Sequence, residues 1–293
     1  MDIAHTIAEA RRFGAAARAA GRTVGLVPTM GALHEGHYSL IRRCRTECSC
    51  TIVSIFVNPA QFGPAEDFAS YPRPFDADTD ACRRLGTDLL FAPESREMYP
   101  RDQLAWANVE KLTRHLCGTR RPDHYRGVCT VVLKLCNILT PDRAYFGQKD
   151  AQQLAVIQRL AADLNLGVEI VPCPTVREPD GLALSSRNRY LSHDQRRQAP
   201  CLCRALFHAR DLLGAGQTDS AAIIAAMTKL IQEQPQAQID YISIVDRDLL
   251  QPIPRIDRPA LIALAVHLGP ARLIDNLPVD PPPAKTLEYC RDV

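Results

Sequence analysis

The chain has 293 residues, of which 46% are apolar and 23% charged, with 15 Gly and 22 Pro. This is ordinary globular usage, which excludes a disordered, collagen-like or coiled-coil chain, and the length is enough for two domains with a core each. The 35 Lys and Arg against 33 Asp and Glu leave a formal charge of +2 with no long run of one sign, which argues against nucleic acid or a membrane surface as partner.

The opening MDIAHTIAEARRFG carries acidic residues and no signal-peptide core, and no apolar run reaches the roughly 20 residues of a membrane span. A cytoplasmic protein is expected. Ile3, Ile7 and Phe13 are spaced to line one face of a first helix. TVGLVPT (23–29) then reads as a buried strand ending at Pro28, followed by a helix from about Gly36 to Cys48. TIVSIFV (51–57) is a β-branched strand closed by Asn58-Pro59, and TDLLFAP (87–93) is another, cut off by Pro93. The helical run VVLKLCNIL (131–139) leads through Pro141-Asp142 to AYFGQKD, and a helix at about 151–165 leads to VEIVPCPTV. Strand-like runs alternating with helices indicate a parallel α/β sheet, whose ligands bind outside the carboxyl ends of the strands. After about residue 190 the texture becomes Ala-rich and helical, and then QIDYISIVD and ALIALAVHLG read as two strands of a smaller α+β domain. The Pro-rich DPPPAKTLEYCRDV reads as a loose tail. The 11 cysteines show no repeated CxxC, so reduced packing thiols are expected rather than a metal or redox site.

Polar residues cluster where these strands end. In Pro28-Thr29-Met30-Gly31-Ala32-Leu33-His34-Glu35-Gly36-His37 two imidazoles stand at a helix start, where unpaired backbone amides and the positive dipole end suit a phosphate. Gly36 between them allows close approach of a ligand, and no convincing third ligand makes a metal pair of them. Asn58 and Gln61 follow the next strand. Their neutral amides can hold hydroxyls and a carboxylate without neutralising it, which preserves its nucleophilicity. In Gly147-Gln148-Lys149-Asp150 the lysine can reach a polyphosphate, and Gln153 points from the helix beyond. Val176-Arg177-Glu178 and Leu184-Ser185-Ser186-Arg187-Asn188 read as a loop between the two domains, a mobile clamp for departing pyrophosphate. Taken singly, each cluster also has a bland reading: a surface helix, an Asn-Pro turn, a solvated Lys-Asp pair and a Ser-rich linker.

Together, PTMGALHEGH, FVNPAQF, HYRGVCTVVLKLCN, YFGQKDAQQ and VREPDGLALSSRN resemble the pantothenate synthetase family of ATP-dependent ligases, within the HxGH nucleotidyltransferases. They stand in the family's order and spacing over residues 23–192, and RLIDN (272–276) extends the likeness. The resemblance implies a Rossmann-like ATP- and pantoate-binding domain over 1–175 and a smaller C-terminal lid domain over 176–293. It implies that pantoate attacks ATP to give pantoyl adenylate and pyrophosphate, after which β-alanine displaces AMP. His34 and His37, the family's proton donor, would stabilise the α-phosphate. Lys149, Ser185, Ser186 and Arg187 would grip the β and γ phosphates. Met30 to His37 (with Gly31, Ala32, Leu33, Glu35 and Gly36), Gly147 to Asp150, Val176 and Leu184 to Arg187 would line the ATP site. Gln61 and Gln153 would hold pantoate, with Asn58 beside them, and magnesium would travel with the ATP phosphates. Arg121 and His124 match family positions without an assigned role, and a homodimer is implied. Leu184 stands where Met is common and Gln148 where Glu is common, and neither change removes a catalytic charge. A dinucleotide-forming adenylyltransferase would need an acceptor phosphate pocket where Asn58, Gln61 and Gln153 stand. A non-catalytic nucleotide-binding module would not need Lys149 and both histidines. A tRNA-charging enzyme is disfavoured by the near-neutral charge.

Overall fold

The computed structural model describes residues 1–64, 66–100 and 102–282, so most of the expected tail lies outside the described residues. The described chain divides into two units, Met1–Ser192 and a second beginning at His193. In the first, β1 (Asp2–Ala4), α1 (Ile7–Ala19), β2 (Val24–Thr29), α2 (Glu35–Glu47) and β3 (Cys50–Ile55) lead to a 3₁₀ turn over Pro59–Gln61. Then come α3 (Phe75–Arg84), β4 (Leu89–Phe91), α4 (Ser95–Met98), α5 (Cys117–Arg120), α6 (His124–Leu139), β5 (Arg143–Gly147), α7 (Ala151–Asp163) and β6 (Glu169–Cys173).

The six strands form a parallel sheet in the order β1-β4-β3-β2-β5-β6. Strands covered on both faces must be apolar at nearly every position, and β2 and β3 are. Leu26, Ile52, Phe91 and Phe146 join α1, α6 and α7 on one face, while Val27, Val53, Leu90 and Tyr145 join α2 and Cys82 of α3 on the other. Gly25 is required beneath α2, because a Cβ there would lie 2.3 Å from Cys44 Sγ and 2.8 Å from Cys48 Sγ. Among the described residues the cysteines are buried and none is in a disulfide. Strand order reverses where β2 meets β5, the place where such sheets open a crevice at their carboxyl edge.

The second unit holds α8 (His193–Gln198), α9 (Cys201–Gly214), α10 (Ser220–Gln232) and an antiparallel sheet of β7 (Ala237–Asp246), β8 (Ala260–Leu268) and β9 (Ala271–Val279), with β8 central. The expected fold class is observed: a Rossmann-like parallel sheet and a small α+β unit.

Four local readings change. Ile3 lies on no helix: it pairs with Leu90 in edge strand β1 and is 38% exposed. The helix starts after Thr6, whose hydroxyl accepts from Glu9 N at 3.2 Å while the Glu9 carboxylate accepts from Thr6 N at 3.0 Å, a reciprocal cap. Helix α6 begins at His124, well before the expected 131. A third strand, β9, completes the small sheet. Finally, the unit boundary falls at Ser192 rather than 175, because residues 176–190 are tied into the first unit. Arg187 pairs with Asp67, and Ser186 Oγ lies 3.4 Å from Tyr71 Oη. No helix among the described residues is long and apolar enough to cross a membrane.

Candidate active site

Four segments leave the carboxyl edge of the sheet and meet around a cavity of about 250 Å³. From β2 come Met30, His34, Gly36 and His37; from β3, Asn58 and Gln61; from β5, Gly147, Lys149, Asp150 and Gln153. The segment after β6 adds Val176, Leu184, Ser185, Ser186 and Arg187, and the start of α6 adds His124, next to Arg121. Gly31, Ala32, Leu33, Glu35 and Gln148 are not on the cavity wall. Gly31, Ala32 and Leu33 form the buried turn behind it, and Glu35 lies on the surface, paired with Arg42.

The two imidazoles are fixed by the helix they start. His34 is the N-cap of α2, and its Nδ1 accepts from Gly36 N at 3.2 Å; His37 Nδ1 accepts from His34 N at 3.4 Å. An imidazole nitrogen that accepts carries no proton, so each neutral ring keeps its proton on Nε2. The ring centroids lie 4.2 Å apart, with the planes tilted by 47°. Gly36 makes this possible, since a Cβ there would lie 2.9 Å from His34 Cε1. Burial, then the charges of Lys149 and Arg189, lower His34 to about 4. Burial, then His34 and Lys149, lower His37 to about 3. Both rings are therefore neutral hydrogen-bond donors near pH 7, with Lys149 beside them.

The turn ahead of these histidines is held by a residue that local sequence pattern does not reveal. Asp78, on α3 and 3% exposed, accepts from Ala32 N at 2.7 Å and Leu33 N at 2.8 Å. The turn needs this support because Gly31 and Ala32 have φ of 80° and 51°. Burial raises the Asp78 pKa against the lowering effect of those two amides.

At the other end, Asn58 is 1% exposed and fully engaged within the protein. Its Nδ2 donates to Gln61 Oε1 at 3.0 Å and Gly127 O at 3.2 Å, and its Oδ1 accepts from Tyr99 Oη at 2.9 Å and Ala60 N at 3.3 Å. In this structure all four hydrogen-bonding positions of the Asn58 amide are taken within the protein, and it orients Gln61. With Oε1 so held, Gln61 Nε2 faces Met30 Sδ at 3.2 Å and keeps a second hydrogen for a ligand. Gly127 of α6 sits directly on this turn; a Cβ there would lie 2.2 Å from Ala60 O and 2.7 Å from Gln61 N.

Ser185 Oγ accepts from Arg187 N at 3.3 Å, Ser186 Oγ lies 3.4 Å from Tyr71 Oη, and the Arg187 fork rests on Asp67 at 2.9 and 3.1 Å. Arg121 rests likewise on Glu66. Among the described residues no three His, Cys, Asp or Glu side chains gather as a metal site; Asp150 is the carboxylate on the cavity wall. Sequence reading missed Asp78, Glu66, Asp67, Tyr71 and Tyr99, because each acts through a contact far away in the chain.

The family model for pantoate-beta-alanine ligase matches residues 2–278. A pantothenate synthetase of Moorella thermoacetica is 53% identical over 277 residues, 94% of this chain and 98% of that protein. The crystal structure of pantothenate synthetase from Thermus thermophilus is 45% identical with a TM-score of 0.90, covering 96% of this chain and 100% of that one. A pantoate-beta-alanine ligase from Francisella tularensis, complexed with beta-gamma ATP and beta-alanine, is 34% identical with a TM-score of 0.77, covering 95% of this chain and 97% of that one.

Proposed function

This chain belongs to the pantoate-beta-alanine ligase family, and from that membership we propose that it joins pantoate to β-alanine in two steps through a pantoyl adenylate. It is a ligase of pantoate and β-alanine that uses ATP. In the proposed first step a pantoate carboxylate oxygen attacks the α-phosphorus, an O–P bond forms, the bond to the β-phosphate bridging oxygen breaks, and pyrophosphate leaves. In the second, the neutral β-alanine amine attacks the acyl carbon, the C–O bond to AMP breaks, and the nitrogen loses a proton as the amide forms.

One observation carries this reading: a single cleft has imidazole donors, Lys149 and Arg187 at one end and the amides of Gln61 and Gln153 at the other, where Arg121 is already paired with Glu66. At the first end His34 and His37 present Nε2–H groups with Lys149 close by, and Ser185, Ser186 and Arg187 stand opposite on the last segment. Donors already in place where charge develops are the main lever in phosphoryl-type transfer. The phosphates' negative charge favours the protonated imidazole, so His37 becomes more basic as ATP enters. At the second end Gln61 and Gln153 would hold the acid by hydrogen bonds from neutral amides, since the Arg121 guanidinium there is paired with Glu66. Magnesium, bound through the nucleotide phosphates, would neutralise part of their charge, with Asp150 the wall carboxylate able to approach it. The homodimer is part of the same proposal and is tested by sedimentation.

The decisive experiment is exchange of labelled pyrophosphate into ATP with pantoate alone. Exchange without β-alanine is expected; a strict requirement for β-alanine would show that no separate adenylate forms.

A further inference from the structure

The cleft has three Lys or Arg side chains on its wall among the described residues: Lys149, Arg187 and Arg121. Lys149 lies by the imidazoles, and Arg187 follows the two serines, so both belong to the polyphosphate end. Arg121 stands at the other end, against the backbone of Gln61. Its Nη2 donates to Gln61 O at 3.3 Å, and its Nη1 lies 3.1 Å from His124 Nε2, while His124 Nδ1 lies 2.9 Å from the same Gln61 O. A guanidinium only donates, so Nε2 accepts from it, and Nδ1–H donates to the carbonyl. Burial and the neighbouring Arg121 lower His124 to about 4, which agrees with this neutral form. The imidazole therefore positions the guanidinium without competing for its charge.

The outer edge of Arg121 holds a carboxylate. Nε donates to Glu66 Oε1 at 2.7 Å and Nη2 to Glu66 Oε2, a two-point grip. The side chains are only 18% and 26% exposed. Such a fork discriminates planar carboxylates by geometry as well as by charge.

The amine substrate of the proposed reaction is itself a carboxylate. Its amine must reach an acyl carbon held by Gln61 and Gln153, and two methylenes separate that amine from its acid group. The acid group therefore falls within a few ångströms of the reacting centre, on the Gln61 side, where Arg121 is the cation on the wall. We infer that Arg121 receives the carboxylate of the ω-amino acid substrate, exchanging it for Glu66, which fills the fork in the free cleft. Swapping one carboxylate for another keeps the guanidinium paired throughout, and the cost falls on the displaced Glu66, the more exposed of the two side chains. The inference rests on the reading that β-alanine is the amine substrate and adds to it the residue that recognises its acid group.

The test compares kcat/KM for β-alanine and for propylamine, which has a methyl in place of the carboxylate, in the wild-type enzyme and in variants. Arg121→Met is expected to lower kcat/KM for β-alanine about 10- to 100-fold, the worth of a hydrogen-bonded charge, and to collapse the preference over propylamine. Arg121→Lys should fall between. Glu66→Gln, which weakens the internal competitor, should lower KM for β-alanine about 3- to 10-fold, an opposite sign that a purely structural ion pair would not produce. Should Arg121→Met fail to fold with Glu66 left unpaired, Arg121→Met/Glu66→Gln decides, and its preference should collapse equally. A wild-type preference in either Met variant, or an unchanged KM in Glu66→Gln, overturns the assignment. Pyrophosphate exchange with pantoate on the same preparations reports separately on the adenylate: its failure in the wild-type enzyme would remove that intermediate and leave the amine preference to be judged alone.

Discussion

Replacing Asp78 with Asn tests whether the turn before the histidines is held from α3. The carboxylate uses one oxygen for each amide, Oδ2 for Ala32 N at 2.7 Å and Oδ1 for Leu33 N at 2.8 Å. An asparagine side chain has one acceptor oxygen, so one amide must face an NH₂ group. The lost charge-assisted bond is worth about 1.5–3 kcal/mol, and a buried N–H left without a partner costs about 1–3 kcal/mol. Against this, the neutral side chain escapes the burial penalty that raises the Asp78 pKa. A net loss of about 2 kcal/mol follows, and for a unit of this size that lowers Tm by roughly 4–8 °C. The turn feeds directly into His34, and an ångström of displacement at reacting groups can cost about 10²-fold. Asp78→Asn should therefore slow pyrophosphate exchange about 10- to 100-fold at a temperature where the variant is still folded. Thermal unfolding and exchange on one preparation make the measurement. A variant with wild-type Tm and wild-type exchange would refute the argument, since it would show that the turn, despite two positive-φ residues, holds itself.

His37→Ala and Lys149→Ala should each lower adenylate formation by about 10²-fold or more in a folded protein; near-normal exchange would remove the role of the residue concerned. Gln61→Ala should raise the pantoate requirement at least 10-fold with little change in ATP affinity, and equal weakening for both ligands would mean that Gln61 shapes the whole cleft. Stability should fall as pH drops from about 6.5 to about 4, because His34, His37 and His124 are held at about 4, about 3 and about 4 in the fold and titrate near 6.5 when unfolded. The unfolded chain then binds protons that the folded one does not, up to about three in that window. A urea midpoint independent of pH there would contradict the burial of these rings.

The strands that matter most were legible because they are apolar at nearly every position and end on a marker: TVGLVPT at Pro28, TIVSIFV at Asn58-Pro59. The clusters just after them fell into one cleft, as the carboxyl-edge rule for parallel sheets requires. What escaped reading has physical causes. Strand β1 is three residues long, too short for any period to show. The α3 segment FDADTDACRR looks like a solvated charge run, yet Asp78, Ala81 and Cys82 make its buried side. Asn58 reads by its donors and acceptors as a substrate ligand, and nothing local shows that Tyr99 and Gly127 also bond to that amide. Glu66 and Asp67 look like an ordinary acidic loop, since their arginines lie 55 and 120 residues further along.

Gly127 bears on how the acid specificity of this cleft could be altered. At Gly127 helix α6 meets the turn carrying Gln61 main chain against main chain, with no room at that position for a side chain to lengthen, shorten or repack. Residues 58–61 are thus a fixed floor, and a substitution at Gly127 lifts that floor rather than enlarging the room above it. A bulkier or longer acid has to be accommodated at the walls, where Met30 and the α6 valines Val128, Val131 and Val132 line the cavity. Directed evolution toward new acids should accordingly accumulate changes in those side chains and leave the floor untouched.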